Sequence, residues 1–127
     1  TDSLSANMGR MLNNYIFATS QANATLTKAK AVGQGQWGLN NAGNNLLTKK
    51  GQIIVFRLEF ILTTNVSSGQ EIGTVPAGYR PSVEVGTLCE NNANSRINSF
   101  VVSPEGSIIL YGNGVVNDQY HFTFTYI

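Results

Sequence analysis

The stretch Ile53-Ile-Val-Phe-Arg-Leu-Glu-Phe-Ile-Leu-Thr-Thr64 decides the fold of this chain, because its large apolar residues recur at every second position. Successive side chains of a β-strand point to opposite faces, so this period places one apolar set on a single face. That set, which we predict to be core, is Ile54, Phe56, Leu58, Phe60 and Leu62.

The opposite face of the same strand is only half apolar, since Arg57 and Glu59 interrupt it. A strand with apolar residues on both faces needs cover on both, and contact with another subunit is one way to supply it. We predict that Arg57 and Glu59 form an interfacial or cross-strand ion pair and are not catalytic groups.

A rigid corner follows in Ile72-Gly-Thr-Val-Pro-Ala-Gly-Tyr-Arg-Pro-Ser82. Pro76 suits the second position of a β-turn, and Gly78 can adopt backbone angles closed to other residues. Pro81 favours an extended Arg80. One strand is therefore predicted from Glu71 to Val75, after a hairpin loop over residues 65–69, and another from Val83 to Leu88.

Three further strands are predicted after a polar loop at residues 90–95. They span Ile97 to Val102, Ser107 to Tyr111 and Tyr120 to Tyr126, with turn-rich sequence at 103–106 and 111–118. The last strand alternates aromatic residues with His121, Thr123 and Thr125. Its aromatic face is predicted to be core, which puts His121 on the outer or intersubunit side.

Before residue 53, Ala24 to Val32 alternates loosely and is predicted as a strand. It leads into Gly33-Gln-Gly-Gln-Trp-Gly38, which matches the dinucleotide fingerprint G-x-G-x-x-G. A loop composition follows where the fingerprint requires a helix, so the match predicts no nucleotide site. Trp37 is either a stacking surface for a sugar ring or a plug at the end of the sandwich or barrel.

The N-terminal residues 1–20 are predicted to be an arm or neck remnant outside a domain that spans residues 21–127. Helical spacing relates Met8, Met11, Leu12, Tyr15 and Ile16, although a strand over Tyr15 to Thr19 is an alternative. Because residue 1 is Thr, the sequence is expected to be a piece of a longer chain or a processed product.

Composition excludes several classes of function. The net charge is +1 with 12% charged residues, which gives no electrostatic reason to expect nucleic acid or an anionic membrane. One His and one Cys are too few for the usual zinc sites, and no G-x-S-x-G nucleophile motif occurs. Glycan hydrolysis needs two carboxylates at a defined separation, and the candidates nearest to loops are Glu84, Glu90 and Asp118, whose spacing in the sequence does not indicate a pair. Neither an enzyme, a metal nor a cofactor is predicted.

One combination of motifs resembles a known family. Pro76-Ala-Gly-Tyr-Arg-Pro81, the Glu105-Gly106 hairpin and the C-terminal Phe122-Thr-Phe-Thr-Tyr-Ile127 resemble the C-terminal domain of bacteriophage tail fibres and receptor-binding proteins. The resemblance covers Gly51 to Ile127. The resemblance implies an all-β head that is usually a trimer and lies in the virion, at a tail tip or baseplate. It also implies that this head binds cell-wall polysaccharide or teichoic acid on the host cell, and that it contacts other tail proteins through its N-terminal side.

The sequence therefore predicts one antiparallel domain, a β-sandwich or Greek-key barrel, with a short N-terminal helix or arm. The alternatives to a glycan-binding head are a structural trimeric tail-tip protein without glycan binding and a depolymerase fragment. Polar loops on a rigid β scaffold are the expected saccharide site. The candidate residues are Trp37, Asn91, Asn92, Asn94, Arg96, Asn113, Asp118 and His121, whereas Tyr79 and Arg80 are expected to be architectural.

Overall fold

The computed structural model describes residues 19–40 and 42–127, and these fold into two packed antiparallel sheets, a β-sandwich without a helix in the described ranges. The predicted helix at residues 8–16 and most of the predicted arm lie outside those residues. The strands are β1 (Thr19–Ala22), β2 (Thr25–Leu26), β3 (Ala29–Ala31), β4 (Asn45–Lys50), β5 (Ile53–Leu62), β6 (Gln70–Thr74), β7 (Val85–Glu90), β8 (Ile97–Val102), β9 (Ser107–Tyr111) and β10 (Gln119–Tyr126).

Sheet A has the strand order β1-β4-β5-β10, with β3 paired to β5 next to the end of β4. Sheet B has the order β2-β6-β9-β8-β7. The chain passes between the sheets at residues 27–28, where the N–H groups of Thr27 and Lys28 both donate to the Ile72 carbonyl. The sandwich is the first of the two architectures predicted from the sequence.

The core forms around β5, as its alternation predicted. All five residues of the predicted core face are at most 3% exposed. Rings from both sheets meet there: the centroid of Phe100 on β8 lies 5.3 Å from that of Phe60 on β5 and 5.7 Å from that of Phe122 on β10. Each large apolar side chain buried in this way contributes roughly 1.5–3 kcal/mol to folding.

The outer face of β5 differs from its prediction in one contact. In the described part of the chain, the Glu59 carboxylate is bonded by the side-chain amides of Asn44 and Gln119, and Arg57 is exposed and makes no ion pair with it. The predicted cross-strand pair is therefore wrong. The reason is that β4 and β10 lie on either side of β5. Asn44, directly before β4, and Gln119, the first residue of β10, therefore bring amide donors to Glu59, and the sequence of β5 alone could not show this.

The Pro76–Pro81 corner is present, with a shifted turn. The Tyr79 N–H donates to the Pro76 carbonyl at 3.2 Å, so Pro76 is the first residue of the turn and not the second. Gly78 is then the third residue, and its φ of +92° is what a type II turn requires there. Arg80 Nε donates to the Val75 carbonyl at 3.1 Å, and the Tyr126 hydroxyl donates to the Tyr79 carbonyl at 2.6 Å.

Several predicted boundaries need correction. The single strand predicted over Ala24 to Val32 is two short strands, β2 and β3, because the chain changes sheet between them. β4 was not predicted, and β7 begins at Val85 and extends to Glu90. Thr19 pairs with Lys50, so the sandwich includes at least two residues before the predicted boundary at residue 21.

Candidate functional site

Three loops meet at one end of the sandwich, which we call the loop end: residues 63–69, 91–96 and 112–118. Backbone bonds hold them together: the Val66 N–H donates to the Gly114 carbonyl at 2.9 Å, and the Asn92 N–H donates at 2.8 Å to the carbonyl of Gln119, which directly follows the 112–118 loop. Both loops in which the sequence placed a saccharide site therefore lie at the same end.

Asn91 and Asn94 serve the geometry of their own loop. Asn91 is 1% exposed, and its Oδ1 accepts the Ala93 N–H at 2.9 Å. Asn94 Oδ1 accepts the Arg96 N–H at 3.0 Å. Such bonds two residues ahead are Asx turns, which fix a loop without needing a ligand. These two predicted site residues are better explained as structural.

Asn113 and Asp118 have the same kind of role in the neighbouring loop. Asn113 Oδ1 accepts the Ser68 N–H at 3.0 Å, which ties the 112–118 loop to the 63–69 loop. Asp118 is 9% exposed, and its Oδ2 accepts the Val115 N–H at 2.9 Å. Their side chains hold the loop end in one conformation, which is a precondition for a preformed site.

The remaining predicted site residues at the loop end, Asn92, Arg96 and His121, are exposed. His121 leaves the core on β10, as predicted, and its backbone lies directly opposite Glu59 in the β5–β10 register. Residues opposite each other in an antiparallel pair share a face of the sheet. His121 and Glu59 therefore occupy adjacent positions on the outer face of sheet A.

A cluster of polar side chains surrounds Glu59, and the sequence did not reveal it. Asn44 Nδ2 donates to Glu59 Oε2 at 2.9 Å, and Gln119 Nε2 donates to Glu59 Oε1 at 3.2 Å. The backbone N–H of Trp37 donates to Asn44 Oδ1 at 3.2 Å, which attaches the loop that carries the tryptophan to the same cluster. We call Trp37, Asn44, Glu59 and Gln119 the Glu59 cluster.

The cluster exists because the β3–β4 loop closes tightly against β5. The Asn44 N–H donates to the Val32 carbonyl, and the Glu59 N–H donates to the Asn44 carbonyl, at 2.8 and 2.9 Å. Gly33 has φ +94°, and a Cβ built on it would lie 2.6 Å from Glu59 Oε2. Only glycine fits this position without displacing the carboxylate, so the glycine-rich loop is shaped around Glu59 and not around a nucleotide.

Chemically, the Glu59 cluster suits hydroxyl groups. A carboxylate has about four acceptor sites, and two on Glu59 are occupied by protein amides, so two can accept hydroxyls of a ligand. Gln119 retains its amide oxygen as a further acceptor. Trp37 is half-buried, which is consistent with either a stacking surface or a plug. The arrangement places the Trp37 backbone and the exposed His121 next to groups of a kind that can form hydrogen bonds with hydroxyls.

The other reactive side chains of the described residues do not form a chemical centre. No group of three His, Cys, Asp or Glu residues there is arranged to hold a metal ion. Burial raises the pKa of the Cys89 thiol, and Cys89 Sγ donates to the His121 carbonyl at 3.0 Å, which favours an unreactive protonated thiol. Glu84 directly precedes β7 and Glu90 is its last residue, so these two carboxylates lie at opposite ends of the strand.

No helix in the described ranges has the length and apolarity needed to cross a bilayer. No protein-family model matches the chain, and no curated protein sequence matches it either.

Proposed function

We propose that this domain is the receptor-binding head of a bacteriophage tail and that its loop end recognises a saccharide on the host cell surface. The observation that carries the saccharide part is the Glu59 cluster. It combines a half-buried carboxylate, two fixed amides and a tryptophan loop beside the exposed His121. Carboxylates and amides recognise neutral hydroxyls by paired hydrogen bonds, and an aromatic face packs against the C–H face of a sugar ring.

The rigidity of the loop end supports this proposal. Side chains of Asn91, Asn94, Asn113 and Asp118 fix the loops through bonds to backbone N–H groups. A site whose frame is already ordered avoids much of the entropy cost of arranging itself around a ligand. Asn92, Arg96 and His121 then stand exposed on that frame, available to a polymer that extends beyond the Glu59 cluster.

The tail location and a trimeric assembly form part of the same proposal and are supported by the resemblance of the corner and the C-terminal strand to tail-fibre heads. Exposed apolar side chains on sheet B add physical support for assembly. Leu88 is 73% exposed and Ile97 is 68% exposed, on the face of sheet B that points away from the core.

Those same apolar residues favour a second candidate function, a structural trimeric tail-tip or baseplate protein that binds no glycan. Leu88 and Ile97 would serve assembly in both cases. The two candidates differ only in whether the Glu59 cluster has a ligand.

A bacterial glycan array with the purified, fluorescently labelled protein tests the proposal. We expect selective binding to one or a few polysaccharides. Glu59→Gln preserves the shape of the side chain but removes its charge, and Trp37→Ala removes the ring. Each variant should lose at least about tenfold in affinity for the glycan, because that is the effect of losing one charge-assisted hydrogen bond or one ring contact. Glu84→Gln is the matched control, because Glu84 is an exposed carboxylate directly before β7, at the end of the sandwich opposite the 91–96 loop.

Loss of binding in both cluster variants, with the control unchanged and all circular dichroism spectra alike, would support the saccharide site. If the parent binds no glycan on the array, or binds as well after both cluster substitutions, the saccharide proposal is wrong and the structural candidate takes its place. Alanine variants of Asn92, Arg96 and His121 would then show how far a confirmed site extends along the loop end.

A further inference from the structure

A cleft lies at the end of the sandwich opposite the loop end, and neither the resemblance nor the proposed function assigns it a role. Its volume is about 320 Å³. It is lined by Lys49, Gln52, Ile54, Gly78, Arg80, Ser82 and Ile127. The position follows from the register, since Tyr126 pairs with Ile54 at this end of β5 and Gln119 pairs with Ile61 at the other. We call it the corner cleft, because the Pro76–Pro81 corner forms one wall.

Two cations line the corner cleft, and each is held in place by a single bond to a backbone carbonyl. Lys49 Nζ donates to the Gly78 carbonyl at 3.0 Å, and Arg80 Nε donates to the Val75 carbonyl at 3.1 Å. Arg80 also packs over Gly106, where a built Cβ would lie 2.5 Å from its Nε. Both side chains are therefore oriented before any ligand arrives, and both keep unused donors.

The N–H groups of Lys49 and Arg80 that make no bond within the described part of the protein can donate to the oxygens of an anion. An ammonium has three donors and a guanidinium has five, so one bond each leaves two on Lys49 and the terminal fork of Arg80. Within the described ranges, neither cation forms an ion pair with a carboxylate. The buried Ile54, which is 3% exposed, lowers the polarity of the cleft wall.

From this arrangement we infer that the corner cleft binds an anionic group, a phosphate or a carboxylate, carried on a small polyhydroxylated molecule. The fork of Arg80 matches two oxygens of such a group, and Lys49 adds a point charge. The volume is at the lower end of ligand pockets, so it suits one ring-sized unit and not an extended chain. Gln52 and Ser82 supply polar groups at the rim.

The test is isothermal titration calorimetry of the whole chain with inorganic phosphate, glucuronate and, as a neutral reference, glucose. We expect saturable binding of phosphate, glucuronate or both at low ionic strength, weakened by added salt, with no binding of glucose. Lys49→Gln should lower the affinity at least about tenfold, because it removes a charge-assisted bond. Lys30→Gln is the matched control, since Lys30 is an exposed cation on β3.

Arg80→Lys is a second variant, which keeps the positive charge but removes the planar fork of the guanidinium. It should weaken anion binding, and the double variant Lys49→Gln/Arg80→Lys should weaken it further. The melting temperature of Arg80→Lys shows separately whether the Pro76–Pro81 corner has lost stability. Binding of only one of the two anions supports the inference and identifies the chemistry that the cleft takes. Equal affinity in the parent and Lys49→Gln, equal loss in Lys30→Gln, or no anion binding would overturn it. These outcomes are independent of the glycan array, because the cleft and the Glu59 cluster lie at opposite ends.

Discussion

At the scale of single residues, two buried tyrosine hydroxyls connect the final strand to the rest of the fold. The Tyr120 hydroxyl donates to Asn98 Oδ1 at 3.0 Å, and the Tyr126 hydroxyl donates to the Tyr79 carbonyl. Burial, and to a lesser extent the Asp118 charge, raises the pKa of Tyr120 to about 12. Burial raises the pKa of Tyr126 as well.

These shifts predict a loss of stability in alkali. Because the folded pKa values lie above the unfolded value of 10.0, the tyrosines contribute stability that is complete below pH 10 and is lost as the pH rises toward about 12. Urea denaturation at several pH values across this window measures the fall. Tyr126→Phe should make the fall less steep and lower the free energy of unfolding at neutral pH by about 1 kcal/mol. The control Tyr111→Phe should follow the parent; an identical alkaline slope in all three proteins would contradict the prediction.

Arg80→Ala should destabilise the corner. The substitution removes the bond to the Val75 carbonyl and the packing over Gly106, so we expect a loss of about 1–3 kcal/mol in the free energy of unfolding. Arg57→Ala is the control, since Arg57 is exposed on β5 and should change stability by less than about 0.5 kcal/mol. Thermal and urea denaturation measure both. If Arg80→Ala melts with the parent, the corner does not depend on this side chain.

At the scale of elements, the β3–β4 loop is the segment on which the proposed saccharide site depends. It leaves the edge of sheet A after Ala31 and returns at Asn45, and it brings Asn44 and the Trp37 backbone to Glu59 on the way. Gly33 allows this close return. A substitution there should therefore affect the Glu59 cluster more than a substitution at a glycine with the same backbone angle in an open turn.

Gly33→Ala and Gly69→Ala form such a pair, with φ of +94° and +87°. Both should lose about 1–2 kcal/mol of stability because alanine disfavours this backbone region. Only Gly33→Ala places a methyl group against Asn44 and Glu59, whereas the position at Gly69 is open. We expect a further loss of about 1–3 kcal/mol for Gly33→Ala, measured by urea denaturation, from the overpacking of that contact. Equal losses in the two variants would show that the loop does not rest on Glu59 as described.

At the scale of the whole molecule, the two outer faces of the sandwich differ. Sheet A exposes a mixed face, on which Ile53 is 51% exposed and Arg57 and His121 are polar neighbours. Sheet B exposes Leu88, Ile97 and Tyr111 on strands that lie side by side in the order β7-β8-β9. Because only 12% of residues are charged, few charges oppose contact between copies. This makes sheet B the better candidate for a subunit interface.

We predict that the protein is a trimer and that substitution of the sheet B face dissociates it. Size-exclusion chromatography with light scattering should give a mass near three chains for the parent and a lower mass for Leu88→Lys combined with Ile97→Lys, since buried charges oppose assembly. Val116→Lys, on the exposed 112–118 loop, is the control and should leave the mass unchanged. A parent protein that elutes as a clean monomer at micromolar concentration would contradict both the assembly and the resemblance behind it.

The sequence by itself determined the elements whose information is local. Period-two alternation identified β5 and the aromatic face of β10, and Pro76, Gly78 and Pro81 identified the corner, because side-chain direction and turn geometry depend on adjacent residues. β4 was not predicted because apolar and polar residues do not alternate regularly in Asn45-Leu-Leu-Thr-Lys-Lys50. This segment forms a strand because it pairs with β5.

Only the tertiary structure decided which polar residues meet. Glu59 accepts bonds from Asn44 and Gln119, which lie 15 and 60 positions away in the chain, and it does so because β5 has β4 on one side and β10 on the other. The structure also showed that the side chains of Asn91, Asn94, Asn113 and Asp118 bond to backbone groups, although their residue types alone suit a sugar equally well. Composition specifies which hydrogen bonds a side chain is able to make, whereas the neighbour that receives each bond is set by strand order and register.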